Sequence, residues 1–354
     1  MAPNQFAMTP AEQIVARCAD LYAHYGYRRF TMNKFEDYSL YADNKNFLVD
    51  GRLLTFTDGS RLKALKPDIT LSIVKSLAAN PELPLKAYYN ETVYRVKKGE
   101  KEFSELHQMG LELIGDGSVY AACEVLSLAK TSLDAIDVQN ILDISHMGIL
   151  MPLIDAACEL GADRAELIEL ITQKNAGGLA LMLGAQHPLV LLVDTYAPIA
   201  QMMPTLLKML PEMPAVQELA QISEVLCALG LEKGIYLDFS LVHDFGYYNG
   251  IVFKGYIKEV PVSVLSGGRY DPLLERFGIK TAALGFAIYL DYIRYAETKR
   301  AEEVLLLYTA EDSAADVARV VQTLAAQGYY VFAADKAPQN RSFIKTMTLK
   351  EVLV

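Results

Sequence analysis

Apolar and polar positions alternate along this chain in two rhythms. Between residues 9 and 26 the helical period holds, with Ile14, Cys18, Leu21, Tyr22 and Tyr25 on one face. Thr9 and Glu12 form a capping box ahead of that run, Pro10 suits the first helical position, and Gly26 closes it. The next stretch, "LVDGRLLTFTDGSRLKALKP", alternates around Asp-Gly turns and reads as strands. "DITLSIVKSLAAN" reads as a helix starting near Asp68 or Thr70. Residues 86–115 predict a long antiparallel hairpin, "KAYYNETVYRV" and "FSELHQMGLELIG" joined by the charged "KKGEKE", and residues 118–135 a helix.

After "ILDISHMG" the chain turns Leu-rich and helical to about residue 230, with breaks marked by Pro188, Pro198, Pro204, Pro211 and Pro214. This predicts a helical insertion over about 146–232. Strands are expected again over 235–265, a helix near 281–299, and a small strand–helix–strand unit at the end. The expected domains are therefore 1–300, carrying the insertion, and a small α/β unit over 301–354.

One predicted strand carries chemistry. At period two, Gln108, Gly110 and Glu112 share a face, while Met109, Leu111 and Leu113 share the other. The apolar face should pack on helices. A glycine between two polar residues leaves room for a ligand, although a solvated sheet face has the same pattern. Tyr89, Glu91, Val93 and Arg95 align similarly on the preceding strand. In "LVHDFGYYNGIVFKG", Tyr248, Gly250 and Val252 fall on one strand face, so the tyrosine is expected to overhang a glycine-lined hollow. The Met202, Met203, Leu206, Leu207 and Met209 stripe suits either a core or a docking surface.

Composition narrows the function. With 52% hydrophobic residues among 354, the chain can bury a substantial core. Net charge is −10, with 4 Lys/Arg against 10 Asp/Glu over 146–234 and 5 against 7 over 301–354, so neither segment offers a basic footprint for nucleic acid. No run is long enough to span a membrane, and the first residues lack the layout of a signal peptide. Cys18, Cys123, Cys158 and Cys227 lie far apart with no metal-ligand spacing, which predicts buried thiols in a reducing cytoplasm and no metal site.

Several of these segments, taken in order, resemble the histidyl-tRNA synthetases and their paralogues. "FTDGSRLKALKPDITLSIVK" is similar to the segment before motif 2, and "YYNETVYRVKKGEKEFSELHQMGLELIG" to motif 2 itself. "LVHDFGYYNGIVFKGY" and "VLSGGRYDPLLERFG" resemble the two histidine-recognition motifs, and "AALGFAIYLDYI" resembles motif 3. The match runs from about residue 9 to 299. It implies an α+β fold: a class II aminoacyl-tRNA synthetase-like core, its mostly antiparallel sheet flanked by helices, with the helical insertion and a small C-terminal βαβ unit. It also implies a dimer.

By the resemblance, Asp68, Thr70 and Gln108 contact the α-ammonium of histidine, Glu112 and Tyr248 contact its imidazole, and Tyr247 lines the same pocket. Arg95 matches the motif 2 arginine and is carried over as a phosphate or anion contact.

Other positions depart from the synthetase pattern. Where the synthetases have an Arg-Gly-Leu-Asp-type run, "HDFG" stands, with His243 at the arginine position and Gly246 at the acid. Motif 3 reads "YLDY", placing Tyr289 where a small glycine borders adenine and Tyr292 where an arginine clamps ATP. The shortened motif 2 loop lacks a second phosphate-binding arginine. Each lost charge donor removes about 3–4 kcal/mol of transition-state stabilisation. A retained histidine pocket on such a scaffold resembles the regulatory subunits of short-form ATP phosphoribosyltransferase. That resemblance implies no catalytic residues, no cofactor, a separate catalytic subunit as partner in a hetero-oligomer, histidine as effector, and no binding of tRNA or membrane. Either His243 or Arg269 could answer the histidine carboxylate. The alternatives are an active histidyl-tRNA synthetase, another adenylating paralogue, and a structural dimer with a vestigial pocket.

Overall fold

The computed structural model describes residues 8–44, 52–79, 82–96, 102–241, 247–258, 260–293, 303–338 and 343–352. The chain divides into two compact units, Met1–Ala296 and Glu297–Val354. Helix α1 (Pro10–His24) starts at its capping box, in which the Thr9 hydroxyl accepts from the Glu12 amide and the Glu12 carboxylate accepts from the Thr9 amide. Gly26 closes it at φ 84°. Its buried face is Ile14, Cys18 and Tyr22.

After the short strand β1 (Arg28–Arg29), strands β2 (Phe35–Asp37), β3 (Thr55–Asp58) and β4 (Arg61–Leu65) form a small antiparallel sheet in the order β2-β4-β3. Helix α2 (Tyr38–Ala42) lies between β2 and β3 in sequence, and α3 (Thr70–Ala79) follows the sheet. The predicted hairpin forms from β5 (Leu85–Val96) and β6 (Phe103–Ile114), paired antiparallel from Leu85 opposite Ile114 to Val96 opposite Phe103. Helix α4 (Val119–Ile136), capped by the Ser118 hydroxyl, and strand β7 (Asn140–His146) come next.

The predicted insertion folds as α5 (Met147–Glu159), α6 (Arg164–Thr172), α7 (Ala176–Leu183), α8 (Pro188–Asp194), α9 (Ile199–Met209) and α10 (Pro214–Ala228). Three details differ from expectation. A strand, β8 (Tyr196–Pro198), interrupts the helices and joins the main sheet. Pro204 sits inside α9 rather than ending it. Met202, Met203 and Leu206 are buried in the main core, so that stripe is spent on packing.

Strands β9 (Ile235–Asp238), β10 (Ile251–Ile257) and β11 (Leu265–Arg269), helix α11 (Asp271–Arg276), strand β12 (Ala283–Tyr289) and the short α12 (Leu290–Ile293) complete the first unit. Most of the helix expected near 281–299 is therefore a strand where it is described. Its residues are consumed by alternation: Leu284, Phe286 and Ile288 face the helices, and Gly285, Ala287 and Tyr289 the other way. The nine-stranded sheet runs β1-β5-β6-β12-β11-β10-β7-β9-β8, mostly antiparallel, with β1–β5 and β7–β9 parallel.

Each sheet face has its own core. On one, Met109, Leu111, Leu113, Phe253 and Phe286 pack with α1, α4 and the insertion helices in a single continuous cluster. Each such fully buried side chain contributes about 1.5–3 kcal/mol relative to exposure. On the other face, Tyr89 and Val93 pack with Tyr41, Ala64, Leu71, Val74 and Leu274, drawn from α2, β4, α3 and α11. The candidate site lies in this second layer.

The second unit comprises β13 (Glu303–Leu307), α13 (Ala314–Ala326), β14 (Tyr330–Ala334), β15 (Lys345–Thr348) and α14 (Leu349–Val352). Its parallel sheet, ordered β14-β13-β15, has one strand more than the expected strand–helix–strand. Cys18 and Cys123 are buried and Cys158 is half-buried, but Cys227 is exposed, unlike the expectation for all four. Among the described residues, no helix is long and apolar enough to cross a membrane.

Candidate functional site

Strand register assembles the site. Across β6, Gln108 faces Glu91 on β5 and Tyr289 on β12; Gly110 faces Tyr89 and Ala287; Glu112 faces Ala87 and Gly285. One strand further, Gly268 faces Gly285 and Ser266 faces Ala287. Paired residues in an antiparallel ladder share a sheet face. The result is a floor of small residues into which larger neighbours lean. A β-carbon at 110 would lie 2.5 Å from the Tyr89 hydroxyl, and one at 268 would lie 2.7 Å from the Tyr248 ring.

The polar face is not solvated. Gln108 and Glu112 are each only 3% exposed. The space above Gly110, expected to admit a ligand, is taken by Tyr89. Glu112 is held by two hydroxyls: Thr70 donates to Oε1 at 2.9 Å and Tyr270 donates to Oε2 at 2.6 Å. Burial pushes its carboxyl up to about 8, against the pull of the Tyr270 and Thr70 bonds, and nearby Asp68 pushes it further.

Asp68 begins α3. Its Oδ1 accepts from the Leu71 amide at 2.9 Å, and Oδ2 lies 3.4 Å from the Arg95 guanidinium. Burial raises its carboxyl, countered by Arg95 and the backbone amides. Arg95 also donates to the Pro67 carbonyl, so the guanidinium carried over as an anion contact is turned onto the start of α3.

The tyrosines close the site. The Tyr247 ring stands 4.7 Å from Tyr248 and 5.7 Å from Tyr270, and burial drives its phenol well above the usual range. Tyr248 is not on a strand with Gly250, because β10 begins at Ile251; its ring rests on Gly268 of β11 instead. Gly250 is covered by the Arg269 side chain, whose Nε donates to Asp271 at 2.8 Å. Arg269 alternates with Gly268 and packs beside Gly117, so it lies on the far face of the sheet and does not reach the site. His243, Gly246 and residues 97–101, where a loop is expected, lie outside the described residues.

Asp68, Thr70, Glu112, Tyr247 and Tyr248 thus come together, with Gln108 two positions along β6 from Gly110. Sequence reasoning passed over Tyr270, although it continues the period-two line of Ser266 and Gly268, and Gly285, whose missing side chain makes room for Glu112. Next to this cluster, the Tyr289 hydroxyl meets Ser266 Oγ at 2.5 Å, and its ring lies 5.9 Å from Tyr292. Among the described residues, no group of three metal-ligating side chains forms a metal site.

Comparison with known proteins fits this geometry. Residues 3–293 match the family described as Histidyl-tRNA synthetase. The chain belongs to the histidyl-tRNA synthetase family. An ATP phosphoribosyltransferase regulatory subunit from Alkaliphilus metalliredigens (strain QYMF) is 29% identical over 80% of this chain and 76% of its own length. A histidine–tRNA ligase from Pyrobaculum aerophilum is 28% identical over 94% of this family member and 82% of the ligase. The crystal structure of an ATP phosphoribosyltransferase regulatory subunit/histidyl-tRNA synthetase from Bacillus halodurans shares the fold with TM-score 0.71, at 24% identity over 98% of each chain. A chain of the ATP phosphoribosyl transferase complex from Thermotoga maritima shares it with TM-score 0.62, at 18% identity over 79% of this chain and 97% of that one. The class II synthetase architecture expected from the motifs is the one observed.

Proposed function

We propose that this member of the histidyl-tRNA synthetase family is a regulatory subunit of ATP phosphoribosyltransferase, without chemistry of its own. It joins a separate short-form catalytic subunit and reports the level of histidine, the end product of the pathway that the complex opens. The observation that carries this reading is the contrast between two neighbouring parts of one sheet face. The amino-acid side keeps two carboxylates, Asp68 held by the Leu71 amide and Glu112 held by the Thr70 and Tyr270 hydroxyls. Where the resemblance puts the nucleotide, Tyr289 stands opposite Gln108 with its hydroxyl on Ser266, and Arg95 is engaged with Asp68. Regulatory subunits of that enzyme among the most similar relatives support the same conclusion.

Histidine would set its ammonium toward Asp68 and Gln108 and its ring toward Glu112 and Tyr248, with Tyr247 packing alongside. Binding shifts the complex toward an inhibited state only by its differential affinity for the two states. A tenfold bias takes about 1.4 kcal/mol, within reach of one charge-assisted hydrogen bond. The reading includes self-association as a dimer and a cytoplasmic setting. Calorimetric titration with histidine, paired with an ATP–pyrophosphate exchange assay, tests it. Histidine binding without exchange is expected; exchange activity would contradict it.

A second reading, an active histidine–tRNA ligase, draws on retained Arg95 and on the ligase alignment that covers 94% of the chain. Charging of tRNA by the purified chain would favour it.

A further inference from the structure

The charges around Glu112 do not balance. Arg95 answers Asp68, and Lys66, with no exposed surface, answers Glu91. Glu112 is buried more deeply than Asp68, Arg95 or Glu91, yet among the described residues no cationic group lies within ion-pair distance of it. The groups that face it are Asp68 and Thr70 before and within α3, Tyr89 on β5, Tyr247, and Tyr270 at the end of β11. All are acids or hydroxyls. A buried carboxylate without a counter-charge needs either a proton or a cationic ligand.

We propose that this site takes its ligand as a ring cation: histidine is bound as its imidazolium, the ring proton coming from the Glu112 carboxyl. The inference rests on the histidine-binding reading above. In the free protein the proton sits on Glu112, held there by burial and by Asp68. The imidazole of free histidine, with an ordinary pKa of about 6.5, arrives neutral at pH 7 and above. On binding, the Oε–H bond breaks and an N–H bond forms on the ring. A carboxylate–imidazolium pair remains, with no proton gained or lost overall. Thr70 and Tyr270 then donate to the new anion, and charge-assisted bonds of that kind are stronger than neutral ones. The two hydroxyls keep Glu112 in place when the site is empty and stabilise its charge when the site is filled.

This mechanism fixes the pH dependence. Between about 6.5 and 8 the free partners already hold one proton between them, and affinity is level. Above about 8 Glu112 is ionised before binding, a proton must come from solvent, and affinity falls about tenfold per pH unit. Below about 6.5 the ring brings its own proton, one must be expelled, and affinity falls again.

The test is calorimetry of the full chain with L-histidine from pH 6 to 9, in buffers of contrasting ionisation enthalpy, on the wild type, Glu112→Gln and Tyr270→Phe. Whatever the ligand ammonium contributes persists in Glu112→Gln. The wild type should show no net proton exchange near pH 7.2 and, toward pH 9, an uptake approaching one proton more than Glu112→Gln. Tyr270→Phe, which removes a bond favouring the charged carboxylate, should move the alkaline limb to higher pH. Infrared difference spectra of the wild type alone give an independent readout: histidine at pH 7 should abolish a buried carboxylic-acid band. If that band persists, or proton uptake at pH 9 is no greater than in Glu112→Gln, the proton transfer is wrong while histidine binding stands. If histidine binds at no pH, both the transfer and the reading beneath it fail.

Discussion

Gly285 on β12 faces Glu112 on β6, and a β-carbon at 285 would stand 1.8 Å from the Glu112 Oε2. That β-carbon would also lie 2.5 Å from the Leu111 carbonyl oxygen, so neither the side chain nor the strand has room to yield in place. The glycine exists for the carboxylate. Gly285→Ala is expected to push Glu112 out of its bonds to Thr70 and Tyr270. Histidine affinity should drop at least tenfold by calorimetry, with stability lowered by about 1–3 kcal/mol in urea denaturation.

The ring end of the pocket should be separable from assembly. Glu112→Ala and Thr70→Val each remove one partner of the bond that joins β6 to α3. Both are expected to weaken histidine inhibition of the reconstituted complex, while co-elution with the catalytic subunit on size-exclusion chromatography stays unchanged. Unaltered inhibition in both variants would place the effector site elsewhere.

Lys66 is a fully buried lysine whose ammonium meets Glu91 Oε2 at 2.5 Å. Its amide donates to the Lys34 carbonyl and its carbonyl accepts from the Tyr94 amide, so the segment leading into α3 is anchored on both sides. Lys66→Met leaves Glu91 without its counter-charge and should cost about 3–5 kcal/mol. The double variant Lys66→Met/Glu91→Leu should recover most of that loss. Chemical denaturation of the three proteins measures both effects.

At the opposite end of the sheet, burial pushes the Asp143 carboxyl up to about 6, nearby Asp238 adds to this, and the Tyr196 hydroxyl bond and Lys174 pull it back. An unfolded aspartate titrates near 3.9. Between about pH 4 and 6 the native state therefore binds more protons than the unfolded one, and stability falls as pH rises through that window. The stabilisation associated with the protonated form is complete below about 4 and gone above about 6. Asp143→Asn should exceed the wild type by about 1–3 kcal/mol at pH 8 and match it near pH 4, read from urea midpoints at each pH.

What the sequence revealed and what it concealed divide along physical lines. The α1 capping box, the β5–β6 hairpin and the polar line of Gln108, Gly110 and Glu112 depend on local periods and caps, which neighbouring residues encode directly. The bond from Tyr270 to Glu112 spans 158 positions, and nothing in "SGGRYD" alone announces it. Tyr89 fills its glycine gap through the β5–β6 register and Tyr248 reaches Gly268 from outside the strands, and only the folded sheet supplies either placement. Strand β12 resembled a helix because "ALGFAIY" is apolar throughout, and a short apolar run fits either period. Arg95 matched its motif, yet its pairing with Asp68 follows from the placement of α3, a tertiary feature with no sequence spacing of its own.

The most direct measurement of the central claim is phosphoribosyl transfer by a short-form ATP phosphoribosyltransferase catalytic subunit, assayed alone, with this chain, and with this chain plus histidine. The account predicts that the chain raises activity, that histidine suppresses it, and that Glu112→Ala blunts the suppression. Activity unaffected by the chain, together with histidine loading onto tRNA by the chain alone, would contradict it.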